Sequence, residues 1–353
     1  LADITRLDTL GVPVWQAIRP WSRSITVHQG KGFTPDAARI AAAMEAVECA
    51  CAEAWRPREF MTFAPDAVPE ALRPPTLAGF ARVAPTPADR AAPIAWTPAA
   101  RLDGKGEMLV PVAVVSLDLT RPAPGWLVRS SNGQGAGDTR ERAVLKGVCE
   151  LVERDAFARW TVRSPVERMR SEIALDTIGA SWLDALRSTL AAQGVRLRAY
   201  ALDAAVEMPV IAAELLDGRS QLRSRAFAAG TCAHPLADEA LAGAVIEAAQ
   251  ARLGQIAGSR DDIDLLAASE LPNFLGFAIP RPGSVPALDF DAARRRWDDC
   301  ARWTSSDLAV APDEAGYPSA AVIDLEPPLP GVHVVRVVAP GLVRGREALR
   351  GEL

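Results

Sequence analysis

Apolar and polar positions along this chain alternate between strand-like and helix-like periods. VPVWQAI (12–18) and SITVHQG (24–30) read as strands, and the spacing predicts a helix from about Thr34-Pro35 to Ala54. Thr34 can cap that helix and Pro35 suits its first position. Residues 62–100 carry eight prolines, which predicts an irregular loop or insert. VPVAVVSLDL (110–119) reads as a core strand, SNGQGAGD (131–138) as a glycine-rich turn, and helices follow over about 139–162 and 176–193. VRLRAYALD (195–203) alternates as a half-buried strand does. PVIAAELLD (209–217) and SRAFAAGTCA (224–233) continue as strands, with Asp217-Gly218 signalling a hairpin. A helix over about 236–257, a turn-rich stretch (271–287), a basic helix (290–302) and the strands AAVIDLE (320–326) and VHVVRVVAP (332–340) complete the pattern. The fold class is α/β or α+β, with helices packed on sheets. Residues 1–353 are expected to form a single domain, with the proline-rich segment as a loop or insert.

One pattern occurs three times. GKGFTPDAARIAAAMEAVECA (30–50), GQGAGDTRERAVLKGVCELVERDA (133–156) and GTCAHPLADEALAGAVIEAAQARL (230–253) each run from a glycine turn after a strand into an alanine-rich helix. Each helix carries an acidic residue and a second polar group three positions on: Glu45 and Glu48, Glu150 and Glu153, Glu247 and Gln250. That spacing puts both members on one helix face. Glutamates so spaced often simply solvate a surface, but these helices are apolar nearly all round and belong in a core. Carboxylates there need partners or cations. Arg154 and Arg252 neutralise only part of five charges.

The rest of the composition narrows the cation. Only three histidines occur and there is no CxxC, which argues against zinc. Oxygen ligands alone favour Mg²⁺, commonly held by one or two carboxylates plus phosphates. Glycine turns at helix starts suit phosphates, and Lys31 sits in one of them. A Mg²⁺–nucleotide site follows; the reaction does not. The net charge of −5 gives no reason to expect nucleic acid or an anionic membrane as partner. No apolar run reaches membrane-spanning length, and the N-terminus lacks the layout of a signal peptide. Five cysteines without a CxxC fit a reducing cytoplasm.

In these three segments the chain resembles the YcaO superfamily, with its GKG…EA(I/V)E, SNG…AG…E(L/V)(I/V)ERDA and G…AHP…EAAQAR blocks in order. TRLDTLGVPVWQAIRP (5–20) and VIDLEPPLPGVHVVRVVAPGL (322–342) are similar to the subgroup encoded beside TfuA proteins. The proline-rich tail of azoline-forming members is not seen. The resemblance implies a YcaO-type ATP-binding fold, three similar strand–glycine turn–helix units around one nucleotide site, and ATP with Mg²⁺ as cofactors. It implies activation of a peptide or protein backbone amide by O-phosphorylation, giving a thioamide, azoline or amidine according to the nucleophile. A TfuA-like partner follows from the subgroup; a homodimer stays open. By the same resemblance Glu45, Glu48, Glu150, Glu153 and Glu247 are the Mg²⁺ and ATP glutamates, Arg154 the phosphate-contacting arginine and Gln250 the glutamine of the third block. Lys31, Ser131 and Asn132 become nucleotide contacts, and Asp155 fixes Arg154 or a helix end.

Four positions depart from the family pattern. Ala41 stands where Ser is usual, Asp138 where Asn is common, Arg142 where Glu is common and Gly243 where Arg is usual. A degenerate protein that binds a peptide or partner without turnover is the alternative these departures raise. A linked exchange is the other: Arg142 would reach the phosphates beside Glu150, and Gly243 would leave it room.

Overall fold

The computed structural model describes residues 1–219, 227–259, 287–295, 297, 320–327 and 329–342. Its strands are β1 (Ala2–Asp3), β2 (Val14–Ile18), β3 (Val27–Lys31), β4 (Met61–Phe63), β5 (Ile94–Arg101), β6 (Glu107–Pro111), β7 (Gln134–Gly137), β8 (Val195–Leu202), β9 (Val210–Asp217), β10 (Phe227–Ala233), β11 (Ala321–Leu325) and β12 (His333–Val338). Its helices are α1 (Pro35–Ala54), α2 (Pro87–Ala91), α3 (Val112–Val115), α4 (Arg140–Thr161), α5 (Pro165–Met169), α6 (Ser181–Ala192), α7 (Ala237–Ala257) and α8 (Phe290–Arg295).

The strands form three sheets, ordered β1-β2-β3, β10-β9-β8 and β4-β5-β11-β12-β7, with β6 also paired to β5. Alternation along β8 and β9 assigns their two faces. Ala199, Ala201, Ile211 and Ala213 join the core under α6 and α7, whereas Tyr200, Leu202, Val210 and Ala212 pack with α4. The other side of α4 meets Val335 and Val337 of β12, so this helix lies between two sheets. Further along, Cys49, Cys51 and Ala52 of α1 pack with β5, β6 and β11. Mixed helix and sheet is thus the observed class.

Several boundaries differ from expectation. The strand expected over 110–119 ends at Pro111, and Val112–Val115 make a single helical turn. A short continuous apolar run fits either form. Within the proline-rich segment, Ile94–Arg101 is a full strand despite Pro98. Neighbours pair with β5 at residues 94–96 and 100–101 on one side, which leaves 97–99 unpaired there, where a missing donor is tolerated. The glycine turn contains β7, and the helix expected from 176 begins at Ser181. The turn-rich stretch up to 286, the basic helix beyond Arg295, Cys300 and the hairpin turn past Arg219 lie outside the described residues. No helix among the described residues is long and apolar enough to cross a membrane.

A buried polar group between β8 and β9 yields a stability prediction. Glu214 is 2% exposed and accepts the Tyr200 hydroxyl at 3.0 Å. Burial pushes its carboxyl up from 4.5 to about 7. The unfolded chain releases this proton first, so the fold loses stability as pH rises from about 4.5 to about 7, by on the order of 3 kcal/mol. Glu214→Gln keeps an acceptor for Tyr200 and removes the titration. Urea unfolding should show the variant gaining on the parent between about pH 5 and about pH 8. Equal pH slopes would count against this assignment.

Candidate active site

Each glutamate-bearing helix follows the edge strand of its own sheet: β3 leads to α1, β7 to α4 and β10 to α7. Thr34 caps α1 by accepting from the Ala37 N–H, and Thr139 caps α4 by accepting from that of Arg142. A glycine lets each helix lie directly on its strand. A Cβ on Gly30 would stand 2.0 Å from Ala42 N, one on Gly135 2.0 Å from Ala143 O, and one on Gly230 2.3 Å from Ala248 N. Only glycine permits so close an approach of two backbones.

The same contact fixes the first member of each spaced pair. Glu45 accepts the Gln29 N–H at 2.8 Å, Glu150 accepts the Gly133 N–H at 3.0 Å, and Glu247 accepts the Thr231 N–H. Side chains then link the units in a closed ring. Lys146 of α4 holds Glu48 of α1 at 2.5 Å. Thr231 of β10 donates to Glu153 of α4 at 2.6 Å. Lys31 of β3 holds Glu247 of α7 at 2.7 Å. Arg154 lies inside this ring, 3.3 Å from Glu153 and 3.7 Å from Glu150.

Electrostatics mark the ring as short of positive charge. Burial raises Glu153 to about 7, opposed by Arg154 and reinforced by Glu247. Burial also raises Glu150, again against the pull of Arg154. For Glu247 burial is outweighed by Lys31 and Arg154, and its carboxyl is held low. The nearby glutamates in turn raise Arg154. A further cation approaching from solvent would relieve this imbalance.

Of the expected site residues, Lys31, Glu48, Glu150, Glu153, Arg154 and Glu247 are joined through these contacts. Glu45 is tied to β3 on the same helix as Glu48. Ser131 is exposed and Asn132 half-buried in the turn before Gly133, and Gln250 is half-buried one turn after Glu247. Among the described residues no three carboxylates converge closely enough to form a metal cage. Each of these carboxylates is held by an N–H, a hydroxyl or a basic group. Mg²⁺ needs only one or two carboxylates with phosphates, and the oxygen-only donors beside Lys31 and Arg154 fit such a group. A cleft of 690 Å³ opens elsewhere, between the end of α1 and β5 and β11, and none of these glutamates lines it.

Lys146, Thr231 and Arg336 are site residues that sequence reasoning missed. Lys146 lies one turn before Glu150, a spacing that could have revealed it. Arg336 is the lone charge in an apolar strand; it is fully buried, donates to the Val114 and Ser130 carbonyls, and exerts a charge effect on Glu150.

Several expected pairings are corrected. Arg252 neutralises Asp8 and Asp217, not the glutamates, and Asp155 binds Arg159 rather than Arg154. Arg142 pairs at 2.6 Å with Asp138, one turn earlier and exposed, so these two departures answer each other. Gly243 leaves no vacancy for a guanidinium, since a Cβ there would meet Cys232 Sγ at 2.4 Å. Arg142→Ala should therefore leave ATP affinity and thermal stability at the parent's values. A large drop in affinity, measured by calorimetry, would restore the phosphate role. Nothing in the structure explains Ala41.

The model of the YcaO family, described as cyclodehydratase, ATP- and Mg²⁺-binding, matches residues 29–343. An uncharacterized protein in the tfuA 3′ region of Rhizobium leguminosarum bv. trifolii is 35% identical over 268 residues, 73% of this chain and 62% of that protein. A heterocyclase in complex with substrate and cofactor aligns with a TM-score of 0.75 at 22% identity, covering 95% of this chain and 49% of that one. The YcaO protein of Methanopyrus kandleri, bound with AMPPCP and Mg²⁺, aligns with a TM-score of 0.69 at 24% identity, covering 96% and 84%. The chain thus spans less than two thirds of both the rhizobial protein and the heterocyclase. With the family model matched over most of its length, this chain belongs to the ATP- and Mg²⁺-binding YcaO family.

Proposed function

We propose that the chain activates a backbone amide of a peptide or protein for substitution at its carbonyl carbon, using ATP and Mg²⁺. The observation that carries this reading is the ring of glutamates on α1, α4 and α7, short of positive charge and closed by Lys31, Lys146 and Thr231, with Arg154 beside Glu150 and Glu153. ATP, when bound, supplies the phosphoryl group that takes the amide oxygen away as phosphate. Among Glu45, Glu48, Glu150, Glu153 and Glu247, one or two carboxylates together with the phosphates would hold each Mg²⁺. Arg154 and Lys31 would meet phosphate oxygens, Arg154 with the planar fork that suits them. The Ser131-Asn132 turn and Gln250 would orient the nucleotide.

For the incoming group the reading favours a sulfur donor, and so a thioamide. Its support is the likeness to a protein from a tfuA region, together with the opening and closing segments described above. A TfuA-like protein is the partner this entails. The test is isotopic. A peptide with heavy oxygen in its backbone carbonyls, incubated with the chain, ATP, Mg²⁺, sulfide and a TfuA-like partner, should yield phosphate carrying that oxygen. Phosphate drawing its oxygen from solvent alone would contradict the reading.

A further inference from the structure

A second charged feature lies outside the glutamate ring. Asp118 is 2% exposed, and Arg23, Arg56 and Arg121 reach it at 3.0, 3.0 and 3.3 Å. Arg129 adds a fourth guanidinium, donating to the Asp118 and Arg121 carbonyls while its Nε is buried with no hydrogen-bond partner. One carboxylate among four arginines leaves an excess of positive charge in a chain whose net charge is −5. Nearby Glu53 does not correct this, because Arg19, Ser22 and Ser24 already hold it.

Three of these arginines edge a pocket of 280 Å³, with an apolar floor that includes Pro93, Ile94 and Leu127. Guanidinium groups around such a floor match a ligand that alternates anionic and apolar groups. The pocket is also tied to the glutamate ring. From Arg129 the chain runs through Ser131 and Asn132 to Gly133, whose N–H bonds Glu150. Four residues span at most about 14 Å.

We propose that this pocket binds an acidic stretch of the peptide substrate, its apolar side chains entering over Pro93, Ile94 and Leu127 and its carboxylates meeting Arg56, Arg121 and Arg129. The proposal rests on the reading of the substrate as a peptide. It places the recognised stretch within a short extended distance of the amide to be activated.

The test is fluorescence anisotropy with a labelled synthetic peptide of alternating Glu and Leu, titrated with the full chain and without ATP. The parent should bind it in a salt-sensitive way and should not bind the matching Lys and Leu peptide. Arg121 is exposed, so Arg121→Glu should fold; it should weaken binding by about tenfold or more. Arg121→Gln should weaken it less, and both variants should keep the parent's Mg²⁺-dependent ATP affinity. A parent that does not bind the Glu and Leu peptide, or a variant that binds it equally well, overturns the proposal. Amide activation is read separately: Arg121-dependent binding without heavy oxygen in phosphate would retain this pocket and remove the activation reading.

Discussion

Glu150→Ala should weaken Mg²⁺-dependent ATP binding by more than about a hundredfold, beyond the ten- to hundredfold typical of losing an outer partner of a metal ligand. The side chain is 24% exposed, held by the Gly133 N–H and close to Arg154, in a setting where burial already works against its charge. Such a carboxylate is kept by what it binds, because burial alone favours its neutral form. Its removal takes a negative ligand from the ring and leaves Arg154 drawn towards Glu153. Calorimetry with and without Mg²⁺ reads the effect, and Glu141→Ala, an exposed acid on the same helix, is the control. A folded Glu150→Ala protein whose ATP binding still responds to Mg²⁺ as the parent's does would leave Glu150 as an ordinary helix acid.

The largest stability effect is expected at the strand glycines. Gly135→Ala would put a Cβ 2.0 Å from Ala143 O, and Gly230→Ala one 2.3 Å from Ala248 N. The atoms in the way are helix backbone, so no rotamer change gives relief. Overpacking of side chains costs about 1–3 kcal/mol, and parting a helix from its strand should cost at least the upper end of that range. Against a total stability of about 5–15 kcal/mol this is a large fraction. Displacing the helix would also part Glu150 from Gly133, or Glu247 from Thr231, so nucleotide binding should fall with stability. Gly179→Ala is the comparison: nothing lies within 4 Å of its Cβ position, and the change should be neutral or slightly stabilising. Denaturant unfolding of the three variants gives the answer. Equal midpoints would mean that strand–helix contact does not depend on glycine.

Much of this arrangement was legible in the sequence because it is local. Glycine, capping threonine and glutamate recur at similar spacing in the first two units, and helical periodicity then fixes which groups share a face. The links between units were not legible. Lys146 reaching Glu48, Thr231 reaching Glu153 and Lys31 reaching Glu247 span 98, 78 and 216 positions, and no local period encodes them. The same limit explains Arg252, which helix position alone would place near the glutamates but which Asp8 and Asp217 draw away. Pro98 and Val112–Val115 illustrate the complementary failure. At Pro98 the local breaker signal is overruled by strand pairing, whereas the apolar run at Val112–Val115 fits strand or helix and takes the helical form.

The measurement that tests the central claim most directly is a structure of the chain with a non-hydrolysable ATP analogue and Mn²⁺ in place of Mg²⁺, the metal located by its anomalous scattering. Metal between the glutamates of α1, α4 and α7, phosphates beside Arg154, and Lys31 released from Glu247 are the expected result. Nucleotide seated in the cleft between α1 and β5 and β11, with the Lys31–Glu247 and Lys146–Glu48 pairs intact, would contradict it.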